Sequence, residues 1–314
     1  MTERGYRLVS YREGNDRPPQ AGVLIGETIY PPDSFLTPGL LRDATVLGML
    51  RQWDEVHSVL AAAVGKAMPS QGIPLSEATF LAPILYPGAF FCAGANYWDH
   101  LEEMSEIALK TTGKKPEMKK IAEPWFFMKT CAGSIIGTGE PARVPNFTKQ
   151  LDWEAEVGVV IGRKTRNISE ADAMDAVAGF VIVNDLSARD LMKRDGTVFI
   201  YDWIGQKCFE DGAPMGPWLT PLEYIDNPND MSIKLWVNDV LKQNSSTSKL
   251  VHNMSEQIAY LSRHVTLQSG DVIATGTPAG VGLPRGEFLK AGDEVRIEVG
   301  GCGTLINRMV SDAE

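Results

Sequence analysis

The stretch Leu151-Asp152-Trp153-Glu154-Ala155-Glu156-Val157-Gly158-Val159-Val160-Ile161 constrains this chain more than any other. Its Trp, Val and Ile content favours a β-strand. Side chains alternate along a strand, so Asp152, Glu154 and Glu156 face one way and Trp153, Ala155 and Val157 the other. Three carboxylates in a row repel one another. On a buried face, desolvation makes the row costly unless a cation or protons compensate. A hard divalent cation such as Mg²⁺ takes oxygen ligands and suits such a row. An isolated Asp-x-Glu-x-Glu is more often the wet face of an edge strand. The residues downstream move the balance toward a metal.

An apolar strand at Val181-Ile182-Val183-Asn184 ends abruptly at Asp185. Glu154, Glu156 and Asp185 would give three oxygen ligands and leave positions open for water and substrate. The plainer reading of Asp185 is an N-cap for a helix over 186–193, and both roles could coexist. Arg189 and then Lys207 follow. A cation near a carboxylate cluster would attract an anionic substrate, Arg suiting a planar carboxylate and Lys acting as a point charge. Taken singly, each is more often a surface ion-pair residue. His100 and Glu103 lie three apart on an expected helix and share a face. A carboxylate beside an imidazole fixes its tautomer and raises its basicity, as a water-activating base requires. The spacing alone favours an ordinary surface pair. His57, His252 and His264 have no comparable setting and read as structural. The Gly-rich segment 274–282 lacks the ending of a P-loop and the helix of a dinucleotide fingerprint, which argues against nucleotide binding. It is either a simple loop or a backbone approaching a small ligand, with Thr277 donating a hydrogen bond.

The net charge of −10 argues against nucleic acid or an anionic membrane as the main partner. Cys92, Cys131, Cys208 and Cys302 are scattered and form no Cys-x-x-Cys pair, so neither a zinc site nor a disulfide scaffold is expected. The N-terminus lacks an apolar leader and no apolar run approaches a membrane span, so a cytoplasmic chain is expected. Residues 5–11 predict a strand, 21–29 a hairpin turning at Gly26-Glu27, and 40–66 one or two helices. These suggest a small α+β domain over 1–80, followed by a larger domain over 81–314. In the latter, helices are expected at 98–112, 169–177 and 254–263. Strands are expected at 126–129, 153–161, 179–184, 233–237, 272–275, 293–299 and 304–310. Helices do not alternate with these strands, so the larger part reads as strand-rich α+β and not as a βαβ array.

Taken in order, the motifs resemble those of the fumarylacetoacetate hydrolase family over roughly residues 85–310. They are Gly94-Ala95-Asn96-Tyr97 with His100, Asp152-Trp153-Glu154-Ala155-Glu156, and Asn184-Asp185-Leu186-Ser187-Ala188-Arg189-Asp190. Lys207, Gly216-Pro217-Trp218, Val237-Asn238, Thr247-Ser248 and 270–278 complete the set. The resemblance implies a mixed β-roll catalytic domain behind a small variable N-terminal domain, and usually a homodimer. It implies Mg²⁺ or Mn²⁺ at Glu154, Glu156 and Asp185. It makes His100 and Glu103 a water-activating dyad on a lid, and Arg189, Lys207 and Thr277 substrate- or oxyanion-facing groups. Tyr97 belongs to the same substrate-facing motif. Met192 stands where many members carry Gln, and Glu210 where Asp is common. The stretch 105–123 is longer than the lid of compact members. A methionine at 192 points to a less polar or bulkier substrate.

The activity implied is hydrolysis of a carbon–carbon bond in a small anionic acylpyruvate-like 2,4-dioxo acid. His100 would activate water, and the cation with Lys207 would stabilise the enolate left behind. The family also contains decarboxylases, isomerases (tautomerases among them) and lyases of 2-oxo acids, which use the same enolate without an attacking water. A non-catalytic ligand-binding protein is the remaining alternative. Such a chain would be free to lose carboxylates or the histidine, and Glu154, Glu156, Asp185, Lys207, His100 and Glu103 are all present.

Overall fold

The expected acidic strand is interrupted once. Leu151–Asp152 pairs with Ser187–Ala188, Ala155–Ile161 pairs with Val177–Asn184, and Trp153 and Glu154 bridge the two. At the break, side-chain amides stand in for ladder partners. Asn184 Oδ1 accepts from Glu154 N–H at 3.1 Å and Gln243 Oε1 accepts from Ala155 N–H at 2.9 Å. The computed structural model that shows this describes residues 5–14, 17–41, 43–66, 68–196, 198 and 200–313.

Among the described residues, one twelve-stranded sheet forms the frame. Its central order runs Arg7–Arg12, Ala213–Pro221, Val177–Asn184, Ala155–Ile161, Val272–Ala274, Phe90–Ala93, Phe126–Met128. The last three strands are the shortest in that series. A second, five-stranded sheet contains Ser232–Val237, Glu294–Val299 and Gly303–Ser311.

The large sheet is covered on both faces, and alternation explains how. Val157, Val159 and Ile161 join Phe180 and Ile182 in a core shared with Ile233, Leu235, Val295 and Ile297 of the second sheet. Val160, Val181 and Val183 point the other way, into a core with Leu8, Met49, Leu50 and Val56. Five α-helices are present among the described residues: α1 (Val46–Leu50), α2 (Trp53–Ala63), α3 (Trp98–Thr112), α4 (Trp203–Lys207) and α5 (Met254–His264). Helix α5 begins with a reciprocal cap in which Asn253 and Glu256 each bond the other's backbone N–H. Helix α3 stops at Gly113, whose φ of +72° is cheap only for glycine.

The chain is α+β, as its pattern predicts. Strand pairing crosses the boundary expected near residue 80, because Leu8 lies opposite Leu219. One expected helix and one alternative helix do not form. Residues 169–177 give only a 3₁₀ turn, Ala173–Ala176, because Val177 already belongs to the sheet. The helix over 186–193, the alternative reading of Asp185, is replaced by the short strand Ser187–Ala188 and a 3₁₀ turn, Arg189–Leu191. Asp185 is therefore not a helix cap. All four cysteines are free, and no helix among the described residues is long and apolar enough to cross a membrane.

Candidate metal centre and its lid

Glu156 shares the pleat of Val160, and Asp185 continues the alternation of Val181 and Val183. The register places Glu156 opposite Val183, and Asp185 N–H donates to the Glu154 carbonyl at 2.9 Å. Glu154, Glu156 and Asp185 thus converge, with one carboxylate oxygen from each within 4.8 Å of the others, all buried. Asp152, which a continuous strand would add to the row, is turned away by the break. Its carboxylate accepts from the N–H groups of Gly282 at 2.6 Å and Leu283 at 3.0 Å, and from Arg189 at 2.8 Å.

Cations surround the cluster. Lys207 Nζ donates to Glu154 at 2.8 Å and to Asp185 at 2.7 Å. Arg189 bridges Asp152 and Glu154, at 2.8 and 2.5 Å. Lys129, which the sequence reading did not single out, donates to Asp185 Oδ1 at 2.7 Å and to the Leu186 carbonyl at 2.8 Å. A signal for it was present, since Lys129 lies two residues beyond Phe127 and so shares that residue's inward face. Glu156 has no cation against it among the described residues; its carboxylate accepts from Gly276 N–H at 2.8 Å.

The electrostatics follow from this arrangement. Burial alone would raise the Glu154 carboxyl, but Lys207 and Arg189 outweigh it and hold the group below the usual carboxylate range. Burial pushes Glu156 well above that range, and Asp185 and Glu154 push it further. Burial also raises Asp152, with Arg189 opposing. Burial would lower Lys207, but Asp185 and Glu154 prevail and keep it protonated. Four acids thus face three bases in a largely buried site, and Glu156 is the carboxylate without a cation bonded to it among the described residues. An all-oxygen set with that deficit fits a hard divalent cation.

Helix α3 lies over the cluster. His100 Nδ1 is 3.5 Å from Glu103 Oε2, and His100 is near enough to the cluster to help lower the Glu154 carboxyl. Tyr97 precedes the helix, fully buried, with its hydroxyl unpartnered. Burial, with Glu156 and then Asp99, raises its phenol. Thr277 is committed to the scaffold: its hydroxyl donates to the Ala155 carbonyl at 3.0 Å and accepts from Gln243 at 2.9 Å. Met192 ends the 3₁₀ turn that carries Arg189 and is half-buried. The structure therefore gathers Glu154, Glu156, Asp185, Lys207 and Arg189 into one cluster, sets His100 and Glu103 above it, and ties Thr277 to the strand behind.

Buried carboxylates on a strand-rich frame, topped by a helix bearing a His–Glu pair, make a candidate site for a divalent cation. The model of the fumarylacetoacetate hydrolase C-terminal domain matches residues 89–310, and the chain belongs to that family. It is 35% identical over 311 residues to the mitochondrial oxaloacetate tautomerase Fahd2a of Rattus norvegicus, covering 98% of this chain and 92% of that protein. Its fold superposes on a 2-hydroxyhepta-2,4-diene-1,7-dioate isomerase from Mycobacterium marinum with a TM-score of 0.71 and 27% identity, covering 98% of this chain and 100% of the other. A maleylpyruvate hydrolase from Sphingobium, solved with manganese(II) and pyruvate, gives a TM-score of 0.73 and 27% identity, over 97% of this chain and 99% of the other.

Proposed function

We propose that this chain is a divalent-metal-dependent enzyme that moves a proton between the keto and enol forms of a small, oxaloacetate-like 2-oxo acid. The observation that carries the reading is the buried trio Glu154, Glu156 and Asp185 beneath a helix that presents His100. The choice of tautomerisation is supported by similarity to the rat oxaloacetate tautomerase over nearly the whole chain. Glu154, Glu156 and Asp185 would hold Mg²⁺ or Mn²⁺. Such an ion, when bound, withdraws electron density from a 2-oxo group and acidifies the neighbouring carbon.

The remaining work falls to the chain's own side chains. Glu103 lies 3.5 Å from His100 Nδ1, a ring nitrogen with no hydrogen bond, and would orient the imidazole by closing on it. Nε2 would then take the proton from carbon and deliver it to the oxygen that becomes the enol hydroxyl, or carry it back in the reverse direction. Lys207 supplies positive charge at the cluster where oxygen gains negative charge during the transfer. Arg189 fixes Asp152 and Glu154 in place. Tyr97, with its unpartnered buried hydroxyl, and Met192 are the proposed substrate contacts.

Carbon–carbon hydrolysis of an acylpyruvate is the second reading, favoured by the likeness to a maleylpyruvate hydrolase solved with manganese and pyruvate. His100 would then take its proton from water. One assay separates the two. Loss of enol absorbance from oxaloacetate is followed with Mg²⁺, with Mn²⁺ and with chelator, alongside pyruvate release from a panel of acylpyruvates. Metal-dependent loss of the enol without pyruvate supports the first reading. Pyruvate release from an acylpyruvate, with no effect on the enol, overturns it in favour of the second.

A further inference from the structure

The helix that carries His100 is weakly packed. Over its 15 residues α3 buries only Ser105 completely. Apolar burial therefore contributes little to holding it, and polar contacts decide where it sits. Those contacts concentrate on two carboxylates. Asp99 Oδ2 accepts from Ser245 Oγ at 2.6 Å and from Lys249 Nζ at 3.2 Å, and Oδ1 accepts from Ala279 N–H at 3.2 Å. Glu103 accepts from Gly280 N–H at 3.2 Å with each of its oxygens.

The peptide at Gly280 is fixed from behind. Its carbonyl accepts from the Trp153 indole at 3.1 Å, and Trp153 is the residue before Glu154. Gly280 has φ +103°, and a Cβ there would meet the Lys242 carbonyl oxygen at 2.1 Å, so no side chain fits. Gly280 thus joins the carboxylate strand to the lid.

We propose that Asp99 is a positioning residue, clamping the first turn of α3 to Ser245, Lys249 and the loop 276–282. The clamp sets Glu103 on Gly280 and thereby His100 over the cluster. Asp99 touches no reacting atom. It acts through its neighbour His100, and this role rests on the assignment of His100 as the proton-transfer base.

Amide hydrogen exchange of residues 98–112 in the full chain tests the clamp without reference to turnover. It is measured for the wild type, Asp99→Ala, Asp99→Asn and Ser245→Ala, together with Mn²⁺ affinity and with kcat and KM for enol loss. Asp99→Ala is expected to speed exchange across α3 and to lower kcat about 10- to 100-fold, the range for a base displaced by about an ångström. KM and Mn²⁺ affinity should change less than about twofold, because the cluster stands on the sheet and the lid contributes no ligand to it. Asp99→Asn keeps one oxygen to accept from Ala279 N–H and gains an amide N–H that can donate to Ser245 Oγ, losing only the Lys249 ion pair, and should restore most of kcat. Ser245→Ala, which carries the test if Asp99→Ala does not fold, should fall between. Unchanged exchange in both Asp99→Ala and Ser245→Ala overturns the clamp. Faster exchange with unchanged kcat overturns its role in positioning. A wild type that turns over no 2-oxo acid, yet shows the same exchange differences, overturns the proposed function and leaves the clamp standing.

Discussion

The carboxylate cluster and the lid helix hold their functional groups by opposite means. Glu156 stands on a strand of a sheet covered on both faces, with Glu154 just before that strand and Asp185 just after its neighbour, and Lys129, Lys207 and Arg189 lock two of the three. Packed backbone and buried ion pairs set their geometry. His100 and Glu103 ride on a helix that is half-exposed and held by a few hydrogen bonds. The difference teaches that the site is built in two separable parts. On the proposed reading, one part holds the charge of an ion, and the other delivers a proton-transfer group and can be displaced without harming the first.

The largest effects should come from the rigid part. Glu156→Ala removes the carboxylate that has no cation against it among the described residues, and so removes the main reason for a divalent ion to bind. Mn²⁺ binding measured by calorimetry should fall below detection, and metal-dependent turnover with it. Tight binding by this variant would break the comparison, because the cluster would not then be the ion's seat. Next comes His100→Ala. Loss of a general base lowers rates by about 10²–10⁴-fold. Calorimetry on the same variant should show unchanged Mn²⁺ affinity. Loss of affinity would mean that the two parts are not separable.

How far the sequence reveals this division depends on the range of the interactions. The carboxylate row is local: residues two apart on a strand face the same way, so Glu154 and Glu156 are visible as a pair. Asp185 is visible because an apolar strand stops there. The helix over 98–112 is legible from its own pattern and ends where Gly113 ends it. Asp152 is not legible as an outlier, because the break at Trp153 and Glu154 comes from Asn184 and Gln243, which are distant in sequence. Lys129, in its partner if not in its inward face, and Asp99 escape notice for the same reason. Their partners, Asp185 for one and Ser245 with Ala279 for the other, lie 56 to 180 residues away. The central strand Ala213–Pro221 escapes because its prolines read as turns; Pro214 nonetheless pairs with Ile136 within that strand. The failed helix at 169–177 shows the converse, a local pattern overruled by the sheet that claims Val177.

Lys129 sharpens the comparison at a smaller scale. Lys129→Met leaves a buried Asp185 oxygen and the Leu186 carbonyl without their donor. Breaking a buried ion pair by removing one partner costs about 3–5 kcal/mol. A divalent ion can supply part of the missing charge, so the loss in Tm should be large in chelator and smaller in excess Mn²⁺. An equal loss in both conditions would mean that Lys129 supports the fold without contributing to the charge balance of the site.

The smallest expected effect lies at the outer end of the lid. His252 is buried next to Asn96, which bonds its backbone N–H and carbonyl, and Lys120 from the segment beyond α3 pairs with Glu256 close by. Burial, with Lys120, lowers the imidazole below its ordinary value of 6.5, while Glu256 and Glu170 oppose. A lowered value means that the unfolded chain binds the proton first as pH falls. Stability is therefore full above 6.5 and is lost as pH drops from there through the folded value. His252→Gln should flatten that part of the Tm-against-pH curve and leave Mn²⁺ affinity at neutral pH unchanged. If the acid-side slope persists in the variant, the proton uptake belongs to the buried carboxylates, and the rigid part of the site, not the lid's anchor, sets the acid limit of the fold.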